Sequence, residues 1–425
     1  MRLLVLPGDG IGPEIAEATL SVLEAVDRRF ALDLSVERRE IGLAALAARG
    51  TTLPDDVVAA AAAADGVILG PVSHYEYPPV AEGGVNPSAW FRTRFGLGTN
   101  VRPARGRPGV SPLGERIDLV IVREGTEGFY ADRSMHAGSG EFMPDPDTAL
   151  AVRKVTAAAC RRVAVAAFEL AGTRRRRVTA VHKANVLKLS DGLFLRVVRE
   201  VASGYPDIAF DEVLVDAAAA LIIRTPERFD VIVTTNMFGD ILSDAAAELS
   251  GGLGLAGSVN VGEAMCVAQA QHGSAPDIAG RDVANPVSLV LSAAMLLAWL
   301  GRRHDDSRYL EASMEMERMV DVLLSRSETR TRDLAGPLGT AAFGSTLARG
   351  IEEGGEGPMS EAQPAAGRLR PVEPSIAERM RRDVRGETDE ALTAQFGISY
   401  NTWRKIRSGQ AIRASVAARL ESRLR

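Results

Sequence analysis

The sequence predicts an α/β protein whose sheet is substantially parallel or mixed. Two observations carry this: short β-branched runs alternate with helical patterns along most of the chain, and a glycine turn joins the first strand to the first helix. No internal repeat of solenoid period competes with that reading. At 425 residues the chain is too long for one simple core, so two or three domains are expected.

Taken in order, Arg2–Leu6 reads as a buried strand and Glu14–Val26 as a helix. Between them lies Gly8-Asp9-Gly10-Ile11-Gly12, then Pro13, which suits a first helical turn. A dinucleotide fingerprint needs Gly-x-Gly-x-x-Gly, and Pro13 stands at its third position, so a typical Rossmann fold is not expected. A plain strand-to-helix turn without a ligand is the alternative. Val57–Ala64 reads as an alanine-rich helix leading into a strand at Gly66–Leu69. Further strands are expected at Leu119–Val122, Val178–Val181, Val213–Val215 and Val231–Thr234, with helices at Val152–Ala171, Gly192–Ser203 and Val287–Leu300.

The composition, 46% hydrophobic and 25% charged, is that of a globular protein. Cys160 and Cys266 lie far apart and suggest neither a disulfide framework nor a cysteine-rich metal site. Pro7-Gly8-Asp9 interrupts the first apolar run, so no signal-peptide pattern forms, and Val287–Leu300 is too short to span a bilayer. A cytoplasmic protein without a membrane partner is expected. The net charge of −5 is uneven: Arg368 to Arg425 holds thirteen basic and seven acidic residues, a net of +6 that leaves −11 elsewhere. Composition shifts near residue 352, where Glu352-Glu353-Gly354-Gly355-Glu356-Gly357-Pro358 reads as a connector. Residues 352–373 are therefore expected to be a linker, and 374–425 a separate basic helical module.

The most informative stretch for chemistry is TTNMFGDILSDAAAELSGGLGL, Thr234 to Leu255. Its helix places Asp240 and Asp244 on one face, about 5–6 Å apart at Cβ. Two like charges at that spacing ask for a cation, and hard carboxylate oxygens suit Mg²⁺ or Mn²⁺. A solvated helix face is the alternative. Asp216, after the strand Val213–Val215, is a candidate third carboxylate. Lys183 closes the strand Val178–Val181, where α/β folds place active sites, and a lysine near carboxylates and a metal can act as a base. Arg92, Arg102 and Arg123 suit a substrate with two or more carboxylates, because guanidinium forks bind carboxylates bidentately. His272-Gly273-Ser274-Ala275-Pro276-Asp277-Ile278-Ala279-Gly280 and Asn285-Pro286 form a small-residue loop that permits close backbone approach by a ligand.

Together GDGIGPE, NVRP, REGTEGFY, HKANVLKLSDGLF, NMFGDILSDAAAELSGGLG and HGSAPDIAGRDVANP resemble the β-decarboxylating dehydrogenases over roughly residues 1–350. That family comprises isopropylmalate, isocitrate, homoisocitrate and D-malate/tartrate dehydrogenases. The resemblance implies an isopropylmalate-dehydrogenase-like two-domain fold around a large mixed sheet. Residues 1–98 and 252–351 would form a large cofactor-binding domain, and 99–251 a small domain with substrate, metal and dimer-contact residues. It implies NAD as cofactor, bound by Ile11, His272, Gly273, Ala275, Asp277 and Asn285. Asp277 favours NAD over NADP, since a carboxylate accepts from a ribose 2′-OH and repels a 2′-phosphate.

It further implies that Arg92, Arg102 and Arg123 bind substrate carboxylates, and that Asp216, Asp240 and Asp244 hold Mg²⁺ or Mn²⁺. Lys183 and Asp216 would come from the other subunit of an obligatory homodimer. In that scheme Lys183 and Asp216 take the C2 hydroxyl proton as hydride leaves for the nicotinamide. The cation stabilises the enolate as CO₂ departs, and Tyr130 protonates carbon. Substrate identity turns on Val85-Asn86-Pro87-Ser88-Ala89-Trp90-Phe91-Arg92. These residues match neither the Ser-x-Asn usual in isocitrate enzymes nor the acidic residue and two leucines usual in isopropylmalate enzymes. A 2-hydroxy dicarboxylate, 3-isopropylmalate first, is expected, with isocitrate/homoisocitrate and D-malate/tartrate as alternatives.

Residues 388–407 resemble a helix-turn-helix, which the family's typical enzymes lack. Gly397 would sit in its turn and Ser399 would cap its second helix. Tyr400, Asn401, Arg404 and Lys405 are expected to face DNA, with Trp403 and Ile406 inward. A packing or oligomerisation module is the alternative. A DNA-binding regulator with a dehydrogenase-derived sensor domain is the competing reading of the whole chain.

Overall fold

The structure is a computed structural model. It describes residues 1–130, 135, 136, 138, 140–354, 369, 370, 372–384, 386, 388–396, 398, 400–410, 412, 413, 416, 417, 420 and 421. The chain forms two compact units, Met1–Gly355 and Glu356–Arg425.

The first unit is built on one ten-stranded mixed sheet. Its strands are β1 (Arg2–Leu6), β2 (Ser35–Arg38), β3 (Gly66–Leu69), β4 (Thr99–Arg105), β5 (Asp118–Glu124), β8 (Arg177–His182), β9 (Ala209–Leu214), β10 (Val231–Thr234), β11 (Val259–Val261) and β12 (Cys266–Gln269). A separate exposed hairpin pairs β6 (Glu141–Asp145) with β7 (Thr148–Ala151). The order across the large sheet is β2-β1-β3-β12-β11-β4-β5-β10-β8-β9. β2, β1, β3 and β12 run parallel, as do β5, β10, β8 and β9, whereas β11 and β4 are antiparallel to their neighbours. β1, β3 and β10 have the expected bounds.

The helices of this unit are α1 (Gly12–Phe30), α2 (Gly42–Arg49), α3 (Asp55–Ala63), α4 (Pro87–Arg94), α5 (Ala157–Gly172), α6 (Ser190–Ala202), α7 (Val215–Arg224), α8 (Asn236–Leu249), α9 (Val287–His304), α10 (Ser307–Ser325) and α11 (Thr340–Glu352). At one half of the sheet, α1, α9, α10 and α11 share a core with β1 and β12, while α3 and α4 join the core that contains Leu4, Leu6, Val67 and Leu69. At the other half, α5 and α6 pack with Val120, Val122, Val231 and Val233, and α7 and α8 with Ile121, Val181 and Ile232. Successive side chains of a strand face opposite ways, so an unbroken apolar run feeds a core on both faces.

Most of the other expected boundaries shift by a few residues, and two of the shifts bear on the site. The helix expected from Val152 begins at Ala157, because Lys154 exchanges backbone hydrogen bonds with Gly128 and Thr156 caps the helix by accepting from the Ala159 N–H. Val215 belongs to α7, which places Asp216 in that helix's first turn rather than after a strand.

The turn at Gly8–Gly12 sits against the loop that follows β12. The Ile11 N–H donates to the Ser274 carbonyl at 2.8 Å, and a Cβ on Gly10, whose φ is +58°, would lie 2.0 Å from that oxygen. Asp9, 5% exposed, fastens a third segment: its carboxylate accepts from the Leu43 and Ser73 N–H groups at 2.7 and 2.9 Å, and from the Tyr77 hydroxyl. These donors are neutral, and burial followed by the Asp9 hydrogen bond pushes the Tyr77 phenol well upward.

In the second unit, α12 (Pro374–Asp383), α13 (Asp389–Phe396) and α14 (Tyr400–Arg407) enclose a core containing Ile376, Met380, Leu392, Phe396, Trp403 and Ile406. A two-stranded ribbon pairs β13 (Leu369–Arg370) with β14 (Ile412–Arg413). Gly397 and Ser399 lie outside the described residues, as does the side chain of Asn401. Among the described residues no helix is long and apolar enough to cross a membrane.

Glycine substitution separates strain from contact. Gly50 has a φ of +75° with open space around it, so Gly50→Ala is expected to cost about 1–2 kcal/mol from left-handed strain alone. Gly10→Ala adds the clash with Ser274 and is expected to cost about 1–3 kcal/mol more. Denaturant unfolding of the two variants checks the difference; equal losses would contradict the tight Gly10–Ser274 approach.

Candidate active site

The site is assembled where β4 and β5 pass beneath α8. Their pairing sets Arg102 opposite Ile121, so Arg123, two residues further along β5, shares the face of Arg102. Helix α8 closes over that face because Gly239 has no side chain. A Cβ there would lie 2.7 Å from Cβ and Cγ of Arg123.

Asp240 is the focus of the cluster. Arg102 Nη1 donates to its Oδ1 at 3.0 Å, Arg123 Nη1 donates to the same oxygen, and the Tyr130 hydroxyl donates to Oδ2 at 3.2 Å. Arg102 Nη1 also reaches Asp244 Oδ1 at 3.2 Å and the Ser243 hydroxyl at 2.8 Å. Arg123 donates through Nε and Nη2 to Asn236 Oδ1 at 2.9 and 2.6 Å, and its guanidinium lies 5.8 Å from the centre of the Tyr130 ring. Gln271, from the loop after β12, donates to Asp244 Oδ1 at 2.8 Å.

Burial by itself pushes the Asp240 carboxyl upward. Arg123, Arg102, the Tyr130 hydroxyl and Arg92 outweigh it and hold the group below the usual carboxylate range. Arg92, on α4, thus acts on the same carboxylate as the two strand arginines. Burial and the neighbouring Arg123 bring Arg102 down to about 10, against the pull of Asp240 and Asp244.

Lys183 and Asp216 form a second group. Lys183 follows β8, Asp216 opens α7, and their charged atoms meet at 2.9 Å. The lysine holds the Asp216 carboxyl below its ordinary value. The Lys183 N–H donates to Asp191, which also receives Arg153; Arg153 in turn reaches Thr235 beside α8 at 3.0 Å. With β8 two strands from β5, the two groups start from strands roughly 10 Å apart. Among the described residues no three His, Cys, Asp or Glu side chains of one chain gather to hold a metal ion. Asp240 and Asp244 therefore offer two hard oxygen ligands from rigid helix, and their demand for positive charge is visible in the guanidinium that bridges them.

The residues expected at a cofactor cleft also converge. Ile11 bonds the loop that begins at His272, and the Ser73 and Ser274 hydroxyls meet at 2.8 Å behind it. Burial pushes the His272 imidazole below its ordinary value, against the Gly273 carbonyl, which contacts Nδ1 at 2.9 Å. Among the described residues the buried His272 Nε2 has no hydrogen-bond partner, so it is an orphan that a ligand group can satisfy. Ala275 adopts a left-handed φ of 40°, Asp277 is exposed, and Asn285 links the start of α9 to Asp333.

Sequence reasoning gave no role to Asn236, Ser243, Gln271 or Asp191. Ser243 stands three residues after Asp240 on the same helix face, which was a usable signal. Asp191 becomes visible only once Arg153 and Lys183 are folded together.

The family model described as isocitrate/isopropylmalate dehydrogenase matches residues 2–347. The 3-isopropylmalate dehydrogenase of Archaeoglobus fulgidus is 41% identical over 350 residues, covering 82% of this chain and 98% of the relative. The isocitrate/homoisocitrate dehydrogenase of Thermus thermophilus is 41% identical over 344 residues, 80% of this chain and 96% of that one. The crystal structure of isocitrate dehydrogenase from Methylococcus capsulatus superposes with a TM-score of 0.73 at 37% identity, covering 83% of this chain and 99% of that chain. The matches support a decarboxylating dehydrogenase acting on a CH–OH group. The chain belongs to the isocitrate/isopropylmalate dehydrogenase family.

The depressed Asp240 carboxyl has a consequence for acid stability. A group whose folded-state pKa is lowered contributes stability that is complete above the unfolded value, about 3.9, and is lost as pH falls through the folded value. The difference in unfolding free energy between the unaltered protein and Asp240→Asn is therefore expected to be flat from neutral pH to about 5 and to shrink only below about 4. Urea titrations across that range check it; a difference that shrinks between pH 7 and 5 would contradict the depressed carboxyl.

Proposed function

We propose that this protein is an NAD- and divalent-metal-dependent dehydrogenase that oxidatively decarboxylates a 2-hydroxy dicarboxylate of the 3-isopropylmalate type. The observation that carries the reading is the convergence of Arg92, Arg102, Arg123 and Tyr130 on Asp240, beside Asp244. Three guanidiniums match a dianionic substrate, which displaces part of their present bonding to the aspartates. Asp240 and Asp244 would hold Mg²⁺ or Mn²⁺ with Asp216 of the partner subunit. When bound, the cation supplies Lewis-acid polarisation of the substrate oxygens and NAD supplies a hydride acceptor.

The remaining steps belong to this chain's own side chains. Lys183 and Asp216 of the partner subunit, which meet each other at 2.9 Å, act together as the base system that takes the proton of the C2 hydroxyl. Arg102 and Arg123 hold the carboxylates in place as CO₂ leaves. Tyr130 returns a proton to carbon, its hydroxyl already aimed into the cluster by Asp240. Ile11, His272, Gly273, Ala275 and Asn285 would bind the dinucleotide, with Nε2 of His272 free to bond it. Asp277 would accept from the adenine-side ribose 2′-OH, which favours NAD over NADP.

A homodimer with shared sites fits the separation of Lys183 and Asp216 from Asp240. Apolar surface borders both groups: Leu189 is 90% exposed, Ile241 61% and Ile223 58%, and the β6–β7 hairpin exposes Phe142, Met143 and Leu150. On substrate, Asn86 is spent capping α4, where it accepts from the Ala89 N–H, and the Ser88 hydroxyl donates to Gln269 at 2.9 Å. The Ser88 donor is thus engaged within the chain, which favours a dicarboxylate over isocitrate. The equal identity to the Thermus isocitrate/homoisocitrate enzyme keeps those tricarboxylates in the test.

NADH formation is measured with 3-isopropylmalate, isocitrate, homoisocitrate and D-malate, with Mg²⁺, Mn²⁺ or a chelator. The expected result is greatest kcat/KM on 3-isopropylmalate, loss of activity with chelator, and a fall on the order of 10²-fold in Asp240→Asn. Chelator-resistant turnover, or preference for NADP, would contradict the assignment. Mixing inactive Lys183→Ala with inactive Asp240→Asn is expected to restore up to about a quarter of the activity, since half the dimers of a random mixture carry one intact site of two. No recovery after confirmed subunit exchange would contradict shared sites.

A further inference from the structure

The family model ends at residue 347, so the C-terminal unit lies outside it. We propose that this unit is a duplex-DNA-binding module in which α14 enters the major groove and Arg404 and Lys405 contact the nucleic acid.

The inference rests on how α14 divides its residues. Trp403 and Ile406 are buried, 1% and 2% exposed, in the unit's own core, where Trp403 stacks on Phe396 at 6.3 Å between ring centres. The helix is braced from behind, since Arg381 on α12 donates to the Ile406 carbonyl at 3.5 Å. Its described exposed residues are Arg404, Lys405 and Arg407, with Tyr400 38% exposed. Among the described residues no carboxylate pairs with Arg404 or Lys405, whereas Arg379 and Arg382 on α12 are engaged by Asp383. From Tyr400 to the C-terminus the sequence holds seven basic residues and one acidic residue.

Geometry points the same way. Only residues 397–399 separate α13 from α14, the connection length of a helix-turn-helix. Thr388 caps α13 by accepting from the Ala391 N–H at 3.3 Å, and Gln395 near its end donates to the Asp383 carbonyl at 2.6 Å, tying α13 to α12. An eight-residue helix is about 12 Å long, comparable to the roughly 12 Å width of the major groove.

Other partners fit less well. A membrane-surface helix needs an outward apolar stripe, and the apolar residues of α14 are turned inward. Single-stranded nucleic acid is bound on exposed aromatic platforms, and α14 offers only the partly exposed Tyr400. Duplex DNA asks for cationic side chains on a rigid helix, which is what this face presents.

The test is fluorescence anisotropy of the full chain with a labelled mixed-sequence duplex of about three helical turns. Binding is expected at low salt, weakening roughly 10²-fold for a fourfold rise in salt if about four phosphates are contacted. Arg404→Gln/Lys405→Gln is expected to weaken binding at least tenfold and to lower the salt slope by about two, with melting temperature and dehydrogenase activity unchanged. Arg161→Ala/Arg196→Ala removes the same charge from the first unit, where both arginines pair with Glu200, and is expected to leave binding unchanged. The salt titration of the unaltered chain tests the proposal even if the glutamine variant fails to fold. Absence of duplex binding at low salt overturns it, as does equal loss in both double variants. Tighter binding to single-stranded RNA or to phosphatidylserine vesicles than to the duplex also overturns it.

Discussion

The constraint on which the site depends is the carboxylate of Asp240 between two buried guanidiniums. Arg102 and Arg123 stand diagonally on adjacent antiparallel strands, 8% and 2% exposed, and two like charges at that depth repel unless an anion lies between them. Removing one member of such a buried set typically costs about 3–5 kcal/mol, because the remaining charge is left without compensation. The anion is delivered by α8, and α8 reaches the sheet only because Gly239 leaves room for the Arg123 side chain. Strand register, a missing side chain and helix position thus act as one unit. They leave a cluster rich in cationic donors beneath α8.

A second carboxylate works in the opposite manner. Asp9 is buried among neutral donors from two other segments, at Leu43 and at Ser73 and Tyr77, and so fastens three loops together. By joining the turn after β1 to the segment after β3, it positions Ile11 against the His272 loop. The motif that resembles a dinucleotide fingerprint is therefore the anchor of a cleft wall. Its glycines serve close backbone approach.

The strands legible in the sequence are those with continuous apolar runs, such as Gly66–Leu69 and Val231–Thr234, because parallel strands buried on both faces need no polar alternation. β4 was not legible: TNVRPAR contains proline and alternates buried with partly buried positions, a pattern that reads as a loop. The three residues of β11 carry too little pattern to stand out. For the site, the spacing of Asp240 and Asp244 was readable from helix geometry, and Arg123 from its place at the end of an apolar strand, whereas Arg92 and Arg102 stand on a helix and in the middle of β4. That Arg102 and Arg123 share one face required the β4–β5 register, which no local pattern encodes. The pairing of Ile11 with Ser274 spans most of the first unit and depends on tertiary contact alone.

The edges of the first unit show how such a body can be extended. The amino group of Met1 donates to the Asp33 carbonyl just beyond α1, while Arg28, near the end of α1, pairs with Glu352 at the end of α11. Entry and exit of the polypeptide therefore meet at one corner. The same geometry suits a circularly permuted version, in which a short bridge joins the old ends and a surface turn elsewhere is opened.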